Sequence, residues 1–538
     1  METSAGCTTL NLLAVGLSYR RLLVGLATLH FSCLLWWPDA STAVAGLPDR
    51  RIRRGLSHQL PPADEAAFII LLSDSERAEY TSLRTPEERA AWRRGYWNQR
   101  DPTPGTERNE RYEEHLRRVA YARTMYSWPN SRGFDDRGEI YVRYGEPDDR
   151  YICDTPTPGW RSNESWVYNA LGFYGCFDFV DDGSGYFRLA RSLREATTGS
   201  HADAALERLY AARADLAPFY AEIHRQMVDA RYRGLSPGLV VDLASNEREM
   251  HRAELPAELA VYLPELRSEK PFDFPLYSAV FLRPKGWLAE IYYGLPAEGA
   301  SRGEQHVVQV QFALFDSSWN DLLRWKRPRR FQGRLRNPSR QQLFVDVLRV
   351  MLKQAGRYQA MLGVVDSAGR RRAVYRFPLQ TSTLANGVFG LSDIELAYHI
   401  EPGTHPKFAK PGLVVIPNPA RRYRRDQPCW LYFEVYNLAL DPSGRSHYRT
   451  TLTLTRLGRN RLKRRGLFSR LAGIFRGQGG RSELSLVSEA HGTSRTEYVS
   501  LQLDIHRLAP GEYRLTVRVD DLEAGETASR GTKLWIAE

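Results

Sequence analysis

Two neighbouring stretches decide the fold of this chain: WNQRDPTPGTERNERYEEHLRRVAYA at residues 97–122 and FDDRGEIYVRYGEPDDR at residues 134–150. Upstream, TPEE at residues 85–88 predicts a helix start, because a hydroxyl N-cap, a proline at N1 and a glutamate at N3 make a capping box. That helix should end near residues 100–102, since proline disfavours helical geometry in the residue before it. Thr106 is expected to cap a second helix with apolar residues at helical spacing.

The second stretch predicts the start of a small antiparallel sheet. Ile140, Val142 and Tyr144 alternate with Tyr141 and Arg143, which is the period-2 pattern of a half-buried strand. Three further strands are predicted at residues 166–168, 176–180 and 186–189. We therefore expect a helical pair that leads into a four-stranded sheet.

Several spaced blocks of this region carry a family resemblance. They are RDPTPGT at residues 100–106, RRVAYA at 117–122, DRGEIYVRYGEPD at 136–148 and ESWVY at 164–168, and with them the chain resembles the GWxTD domain family of uncharacterised bacterial exported proteins. The name-giving element is degenerate here, because GFDD at residues 133–136 stands where Gly-Trp-x-Thr-Asp is expected. LSDI at 391–394, IPNP at 416–419 and FEVYNL at 433–438 extend the resemblance more loosely. The resemblance implies export and architecture, and it brings no established reaction.

The beginning of the chain has the parts of a secretory signal peptide. Arg20 and Arg21 precede an apolar run at residues 22–37, and Ala-Val-Ala at 43–45 supplies a cleavage site. The run is shorter than the roughly 20 residues that a bilayer-spanning helix needs. We expect cleavage after Ala45 and a periplasmic or extracellular product, with an uncleaved membrane anchor as the alternative.

Composition bounds the class of protein and its partners. An apolar content of 42%, with 12 Trp and 28 Tyr among 538 residues, supports packed cores and argues against disorder. The net charge of +12 bears on partners rather than on fold. Outside the cytoplasm nucleic acid is not an expected partner, so we expect a protein or an anionic envelope surface. No cofactor is predicted, and the oligomeric state is left open.

Three cysteines follow the signal peptide. Cys153 and Cys176 fall in the same small domain, and an oxidising compartment would permit a disulfide between them. Two separate buried thiols are the alternative, because connectivity cannot be read from sequence. Cys429 has no expected partner.

The second half of the chain contains an internal repeat with strand patterning. Residues 288–292 (LAEIY) correspond to 432–436 (YFEVY), and His306 and His447 open similar strands. The blocks that begin at Gly356-x-Tyr358 and Gly511-x-Tyr513 are 155 residues apart, and all three pairs occur in the same order. Period-2 alternation with one apolar face is what a sandwich strand requires.

The predicted fold class is therefore α+β and multidomain. It comprises a signal peptide at 1–45, a GWxTD-like helical and small-sheet domain at 46–198, a helical connector at 199–238, and two tandem immunoglobulin-like β-sandwiches at 239–383 and 384–538. Pro218 should divide or kink the connector, and alternating strands are expected from Leu239.

The second sandwich carries an extra basic segment at residues 456–481, with nine Lys or Arg and no acidic residue. Its apolar residues recur at helical spacing, so it is suited to an anionic membrane surface or an acidic partner; a solvated hairpin tip is the alternative. The candidate surface-binding residues are Arg461, Lys463, Arg464, Arg465, Arg470 and Arg476. A second basic run at residues 324–340 completes the same surface or forms another loop.

Few residues suggest catalysis. Residues 234–238 (GLSPG) match a nucleophile-elbow pattern, but that elbow follows a strand and precedes a helix, whereas here a helix should end at Gly234 and a strand should follow. The acidic residues of 135–149 are the remaining candidates, chiefly Asp136, Glu146 and Asp148. Paired carboxylates suit glycan hydrolysis or a hard cation; turn-forming and ion-pairing roles are the alternative.

Arg100 and Asp101 are expected to tie the helix junction through a charge-assisted pair.

Two alternative functions follow from the sequence as a whole. The first is an exported, non-enzymatic interaction protein whose sandwiches present binding surfaces. The second is a hydrolase or metal-binding enzyme that uses the acidic region.

Overall fold

The structure is a computed structural model of the whole chain. It describes residues 62–153, 159–199, 202–257, 273–296, 306–331, 335–336, 342–366, 371–381, 384, 387–457 and 482–538. The predicted signal peptide and the basic candidates Arg461, Lys463, Arg464, Arg465, Arg470 and Arg476 lie outside the described residues.

Residues 62–252 form a mixed helical and sheet region, called the head here. Its helices are α1 (Pro62–Ile69), α2 (Asp74–Ser82), α3 (Pro86–Gln99), α4 (Glu110–Met125), α5 (Asp136–Tyr144), α6 (Ala202–Ala211), α7 (Pro218–Tyr232) and α8 (Pro237–Arg252). Its strands β1 (Asp149–Cys153), β2 (Asn163–Val167), β3 (Cys176–Asp181) and β4 (Phe187–Ala190) pair in that order as an antiparallel sheet.

Helices cover both faces of this sheet. Strand β3 alternates, so Phe177 and Phe179 meet rings of Tyr144 and Trp166 on one side. On the other face, Cys176 and Val180 share a core with α6, α7 and α8. The predicted connector is therefore wrong in its role, because its helices bury their apolar stripes against the head sheet. Pro218 does divide it, at the N1 position of α7.

The start of α3 is confirmed, with a capping box between Thr85 and Glu88. The cap of α4 is Asn109 rather than Thr106; the Asn109 side chain accepts a hydrogen bond from the backbone N–H of Tyr112. Thr106 instead donates its hydroxyl to the carbonyl of Thr103 within the preceding turn.

The strand predicted at residues 140–144 is wrong, because these residues form α5. Asp135 caps this helix by accepting from the N–H groups of Arg137 and Gly138. The burial of Ile140, Val142 and Tyr144 alternates as predicted, yet it does so because α5 packs against α4 on one side and β4 on another.

A strand from Leu239 is also wrong. Ser236 caps α8 by accepting from the N–H of Gly238, and Pro237 occupies N1. Gly234 has the positive φ of 71° of a helix C-terminus. The rejected nucleophile elbow therefore lies in a helix–turn–helix, and Ser236 donates its hydroxyl to Asp203.

The first sheet pair follows the head. Its strands are β5 (Leu276–Arg283), β6 (Gly286–Pro296), β7 (His306–Phe315), β8 (Asp321–Phe331), β9 (Leu335–Arg336), β10 (Gln342–Leu352), β11 (Arg357–Asp366) and β12 (Arg372–Gln380). They form sheets of order β5-β6-β10-β9 and β12-β11-β7-β8. Apolar side chains of both sheets, among them Ile291, Phe312 and Leu362, make one core.

The second sheet pair has the remaining strands. They are β13 (Gly390–Leu391), β14 (Glu395–Pro402), β15 (Ala409–Lys410), β16 (Leu413–Pro417), β17 (Arg422–Arg424), β18 (Cys429–Tyr436), β19 (Ser446–Arg456), β20 (Ser482–Gly492), β21 (Glu497–Leu503), β22 (Gly511–Asp521) and β23 (Thr527–Ala537). One sheet has the order β13-β18-β14-β16-β15, with β21 on β18, and the other has β17-β23-β22-β19-β20. They share a second core.

The internal repeat corresponds to equivalent strands. The paired blocks fall on β6 and β18, on β7 and β19, and on β11 and β22. Gly356 and Gly511 both have φ of 156°. Tyr358 and Tyr513 each donate the hydroxyl to the carbonyl four residues upstream, at 2.7 Å. The described chain is thus mixed α+β with predominantly antiparallel sheet.

Candidate functional site

The acidic candidates of the head lie around α5. Asp135 is almost fully buried, bonds the guanidinium of Arg137 at 2.7 Å and caps the helix. Asp136 accepts from the Tyr186 hydroxyl at 2.6 Å and from the Leu189 N–H at 2.9 Å. Burial raises the pKa of Asp135, although Arg137 opposes the shift. Asp136 therefore joins α5 to strand β4 and its preceding turn, and Asp135 holds the start of α5.

The other carboxylates of this region also have local partners. Glu139 pairs with Arg132 and with Arg143, and Glu146 pairs with Arg150. Asp148 accepts from the backbone N–H of Asn169 at 2.7 Å, and Asp149 accepts from that of Arg150. The region is therefore a surface of ion pairs and capped turns. Within the described ranges, no group of three or more His, Cys, Asp or Glu is arranged to hold a metal ion.

Of the two alternatives that the sequence left open for Cys153 and Cys176, the structure has two separate free thiols. Cys153 pairs in register with Asn163 at one end of β2, and Cys176 pairs with Val167 at the other end, across the opposite edge. Four residues of strand rise alone separate them by roughly 13 Å, whereas a disulfide needs Cα atoms within about 7 Å.

The Arg100–Asp101 block forms the joint between the head and the first sheet pair. Arg100 pairs with Glu76, while Asp101 is fully buried and accepts from Arg324 of β8 at 2.9 Å. Burial raises the pKa of Asp101 to about 7 even though Arg324 opposes the shift. The charge-assisted tie is thus made to a residue far along the chain rather than to Arg100.

Arg324 holds this joint through several acceptors. Its guanidinium also donates to the carbonyls of Pro104 and Thr106 and to the side chain of Asn98. Gly105 lies so close to β8 that an added Cβ would be 2.5 Å from the Trp325 carbonyl oxygen. The RDPTPGT block is therefore an interface within the molecule.

The two sheet pairs meet through the faces of β6 and β18. Arg283 of the first pair makes a bidentate bond to the fully buried Glu434 of the second, at 2.7 and 2.9 Å. Tyr432 and Tyr436 each donate a hydroxyl to the same carboxylate at 2.7 Å. Every oxygen of Glu434 is satisfied, so this carboxylate is positioned to hold the joint.

The repeat-equivalent glutamate makes the reciprocal contact. Lys410 of the second pair bonds Glu290 of the first at 2.8 Å and Glu395 at 2.9 Å, with all three nearly fully buried. Burial raises the pKa of Glu395 to about 7, with Lys410 opposing. Burial also acts to raise the pKa of Glu290, but Lys410 and Arg349 outweigh it and lower the value to about 2.

A groove of about 660 Å³ runs along this joint. Trp287, Tyr436 and Tyr498 contribute aromatic surface, and Arg283 and Glu434 contribute the ion pair described above. Since the Glu434 oxygens are already bonded, no free carboxylate of the described residues lines the groove.

A further sheet face is open to solvent. On the outer side of the second sheet pair, Thr451 and Thr453 of β19 lie opposite Arg518 and Thr516 of β22 in register. These side chains are exposed or half-buried. Strands β19 and β20 pair along their length as antiparallel neighbours.

The second basic run is not a loop over its described length. Residues 324–331 belong to β8, and Arg324 is occupied by the head. Sequence reasoning missed Arg283, Arg324 and Lys410, because each bonds a carboxylate that is at least 120 residues away in the chain. The one available signal was the repeated Glu-x-Tyr at 290–292 and 434–436, which marks both halves of the joint.

No helix of the described ranges is long and apolar enough to cross a membrane.

Comparisons with known proteins yield slight likenesses. No protein-family model matches this chain, and no curated protein matches it. Among solved structures it is similar to a β-glucuronidase of Bacteroides uniformis at 9% identity and a TM-score of 0.17, over 46% of this chain and 26% of that one. A calcium-binding mutant of β-glucuronidase 2 from that organism gives 9% and 0.16, over 48% and 27%. The chain thus spans about a quarter of each of these structures, and likenesses so slight carry no argument.

Proposed function

We propose that this chain is an exported, non-enzymatic interaction protein of the cell envelope, in which two immunoglobulin-like sandwiches form the scaffold and the second presents a binding surface. The observation that carries the proposal is the open outer face of β19 and β22. The equivalent face of the first sheet pair is occupied by the head. A folded face left free at the far end of the chain is available to a partner.

The immunoglobulin-like assignment is supported by strand order. Labelled A to G along the chain, β5-β6-β10-β9 has the order A-B-E-D and β12-β11-β7-β8 has the order G-F-C-C′, as in such domains. In the second pair, β14, β18 and β21 correspond to A, B and E. The Tyr358 and Tyr513 hydroxyl bonds to upstream carbonyls have the form of a tyrosine corner at strand F.

The non-enzymatic part of the proposal is supported by the acidic region. A glycoside hydrolase needs two carboxylates that face a common substrate space. The carboxylates of Asp136, Glu146 and Asp148 instead bond hydroxyl, guanidinium and backbone N–H groups of the head itself. Such bonds stabilise a turn-rich surface, which needs no reaction to explain it.

The export of the chain and its membership of the GWxTD group remain parts of this proposal. They rest on the residues 20–45 and on the spaced blocks from 100 to 168. The partner is proposed to be a protein or an anionic envelope surface, and the basic residues 456–481 are part of this proposal on their sequence alone.

Charge reversal on the open face tests the proposal. We expect Arg514→Glu with Arg518→Glu to weaken capture of envelope proteins or binding to phosphatidylglycerol vesicles by about tenfold or more, since an attractive pair becomes repulsive. The matched control is Arg225→Glu with Arg233→Glu, which changes net charge equally on exposed residues of α7 and its end. Equal binding by both variants would reject the open face.

Two further variants separate the basic segment and the enzyme alternative. Deletion of residues 459–478 should reduce vesicle binding, and unchanged binding would remove that segment from the proposal. Asp136→Asn and Asp148→Asn should alter thermal stability at most. A hydrolytic or metal-dependent activity that either substitution abolishes would favour the enzyme that uses residues 135–149.

A further inference from the structure

Among the residues that the structure describes, strand β20 is a long sheet edge without a partner on one side. It ends the order β17-β23-β22-β19-β20, and among the described residues it pairs with β19 alone. It is 11 residues long, from Ser482 to Gly492. An unpaired edge of this length presents a row of free backbone donors and acceptors, which natural proteins usually block.

The equivalent edge of the first sheet pair is blocked. Strand β8 ends the order β12-β11-β7-β8, and it contains Pro328, which has no N–H to offer a further strand. It also carries Lys326, Arg327, Arg329 and Arg330, and like charges of this density oppose the approach of a second copy. In β20 neither device is present.

Exposed apolar side chains are concentrated at the centre of β20. Leu486 is 43% exposed and Val487 is 57% exposed. On the inward side, Leu484 and Ala490 pack partly against the core of the second sheet pair. A further strand beside β20 would cover Leu486 and extend that core.

Strand β20 is complementary to itself. In an antiparallel pairing centred on Val487, Val487 meets Val487 of a second copy, Leu486 meets Ser488, Leu484 meets Ala490, and Ser485 meets Glu489. The serine hydroxyl then faces a carboxylate, twice by symmetry, and Glu489 does not face its own copy. Pairs of β-branched, apolar and hydrogen-bonding residues are those that stabilise antiparallel strands.

From these observations we infer that β20 is a self-association edge through which two copies of this chain join their five-stranded sheets into one continuous sheet. The contact is isologous, so the same strand serves both copies and the assembly closes as a dimer. The partner is a second copy because the edge residues complement themselves. The dimer would place the open faces of both copies side by side.

Sedimentation equilibrium of the full chain tests this inference. We expect a concentration-dependent dimer, and we expect Val487→Lys to raise its dissociation constant by about tenfold or more, because two ammonium groups would meet at the symmetry axis. Met351→Lys is the matched control, since Met351 is 45% exposed on the first sheet pair and lies on another strand. It should dimerise as the unaltered chain does.

Cross-linking gives an independent readout that does not depend on stability. Residues directly opposite each other in antiparallel strands have Cα atoms about 4.5–5.5 Å apart, which a disulfide can span. Val487→Cys should form a covalent dimer under mild oxidation, and Met351→Cys should not. A monomer at all accessible concentrations, a Val487→Lys variant that dimerises normally, or equal cross-linking of the two cysteine variants would overturn the inference.

Discussion

The two sheet pairs have equivalent outer faces, of which the first is covered and the second open. On the first, Ala313, Phe315 and Met361 are fully buried and pack with Trp319 beneath the head. The equivalent positions of the second face, assigned from the pairing of the corresponding strands, are Thr453, Thr455 and Thr516. The same strand order thus provides a buried face where these three outward residues are apolar and an exposed face where they are threonines.

The difference has a simple energetic basis. Each large apolar side chain that leaves water contributes about 2 kcal/mol, so the first face gains from being covered. Threonine suits a strand exposed to water, because its branched side chain fits the pleat and its hydroxyl stays hydrated. A head over the second face would have little to bury.

The largest expected effect comes from Arg324→Ala. The substitution leaves the Asp101 carboxylate buried without the Arg324 guanidinium, and it removes the hydrogen bonds to two backbone carbonyls. We expect a loss of about 4 kcal/mol in the free energy of unfolding, since breaking a buried pair exposes the remaining charge to an apolar site. Urea denaturation measures it. Arg514→Ala on the open face is the control and should change stability by less than about 0.5 kcal/mol.

Gly105→Ala should have the next largest effect. The added Cβ would meet the backbone oxygen of Trp325 at 2.5 Å, and a backbone atom cannot move aside as a side chain can. We expect about 3 kcal/mol of destabilisation from this overpacking. On the open face, Gly531 has 3.5 Å to its nearest neighbour. Gly531→Ala should therefore be tolerated, and equal effects of the two substitutions would contradict the account of the covered face.

A reciprocal exchange of residues tests directly whether the two faces differ in burial. Met361→Thr introduces a hydroxyl and a smaller side chain beneath the head, and we expect about 2 kcal/mol of destabilisation. Thr516→Met makes the opposite change at the equivalent open position, and it should remain within about 0.5 kcal/mol of the unaltered chain. Thermal unfolding of both variants measures the two effects. Similar losses in both would show that the faces do not differ in burial.

The smallest expected effect is a pH dependence of the covered joints. The folded-state pKa values of Asp101 and Glu395 are raised to about 7 by burial. A raised folded pKa means that stability is fully present below the ordinary carboxyl pKa and is lost as pH rises through about 7. We expect the ionisation of each group to lower the free energy of unfolding by about 1 kcal/mol between pH 6 and pH 8.

Glu395→Gln should reduce this slope by about half, since an amide does not titrate. The control is Glu489→Gln, because Glu489 is exposed and its pKa is lowered by Arg449. Denaturation midpoints at pH 6 and pH 8 provide the measurement. A stability that rises across this range would contradict the sign of the effect.

The sequence predicted the sheet region better than the head. The strands that begin near Tyr358 and Tyr513 were predictable, because a strand shows its alternating pattern within a few residues. The repeat also supplied a second copy of each pattern. Helix α5 is buried on two sides, so its apolar residues alternate in sequence as those of a strand do. Only the capping residue Asp135 indicated a helix. In α8, the pair Ser236-Pro237 was the start signal, which adjacent apolar residues at 239–241 obscured.

The candidate sites were less predictable, because they depend on contacts between distant residues. The acidic residues around Asp136 could be named but not their partners. Arg283 carries no local mark that distinguishes it from other surface arginines; only the fold brings it to Glu434. The thiols of Cys153 and Cys176 share a sheet, yet strand register separates them. Residues 1–61 and 458–481 lie outside the described residues, and the predictions made on them stay predictions.

The reciprocal cations at the joint have an evolutionary consequence. Arg283 of the first sheet pair bonds Glu434 of the second, and Lys410 of the second bonds Glu290 of the first. The second pair inherited alone would retain Glu434 in an apolar surface without Arg283, and the first would retain Glu290 with Arg349 but without Lys410. Recombination that separates them would therefore be selected against, and the two duplicated halves should travel between genomes as one inseparable segment.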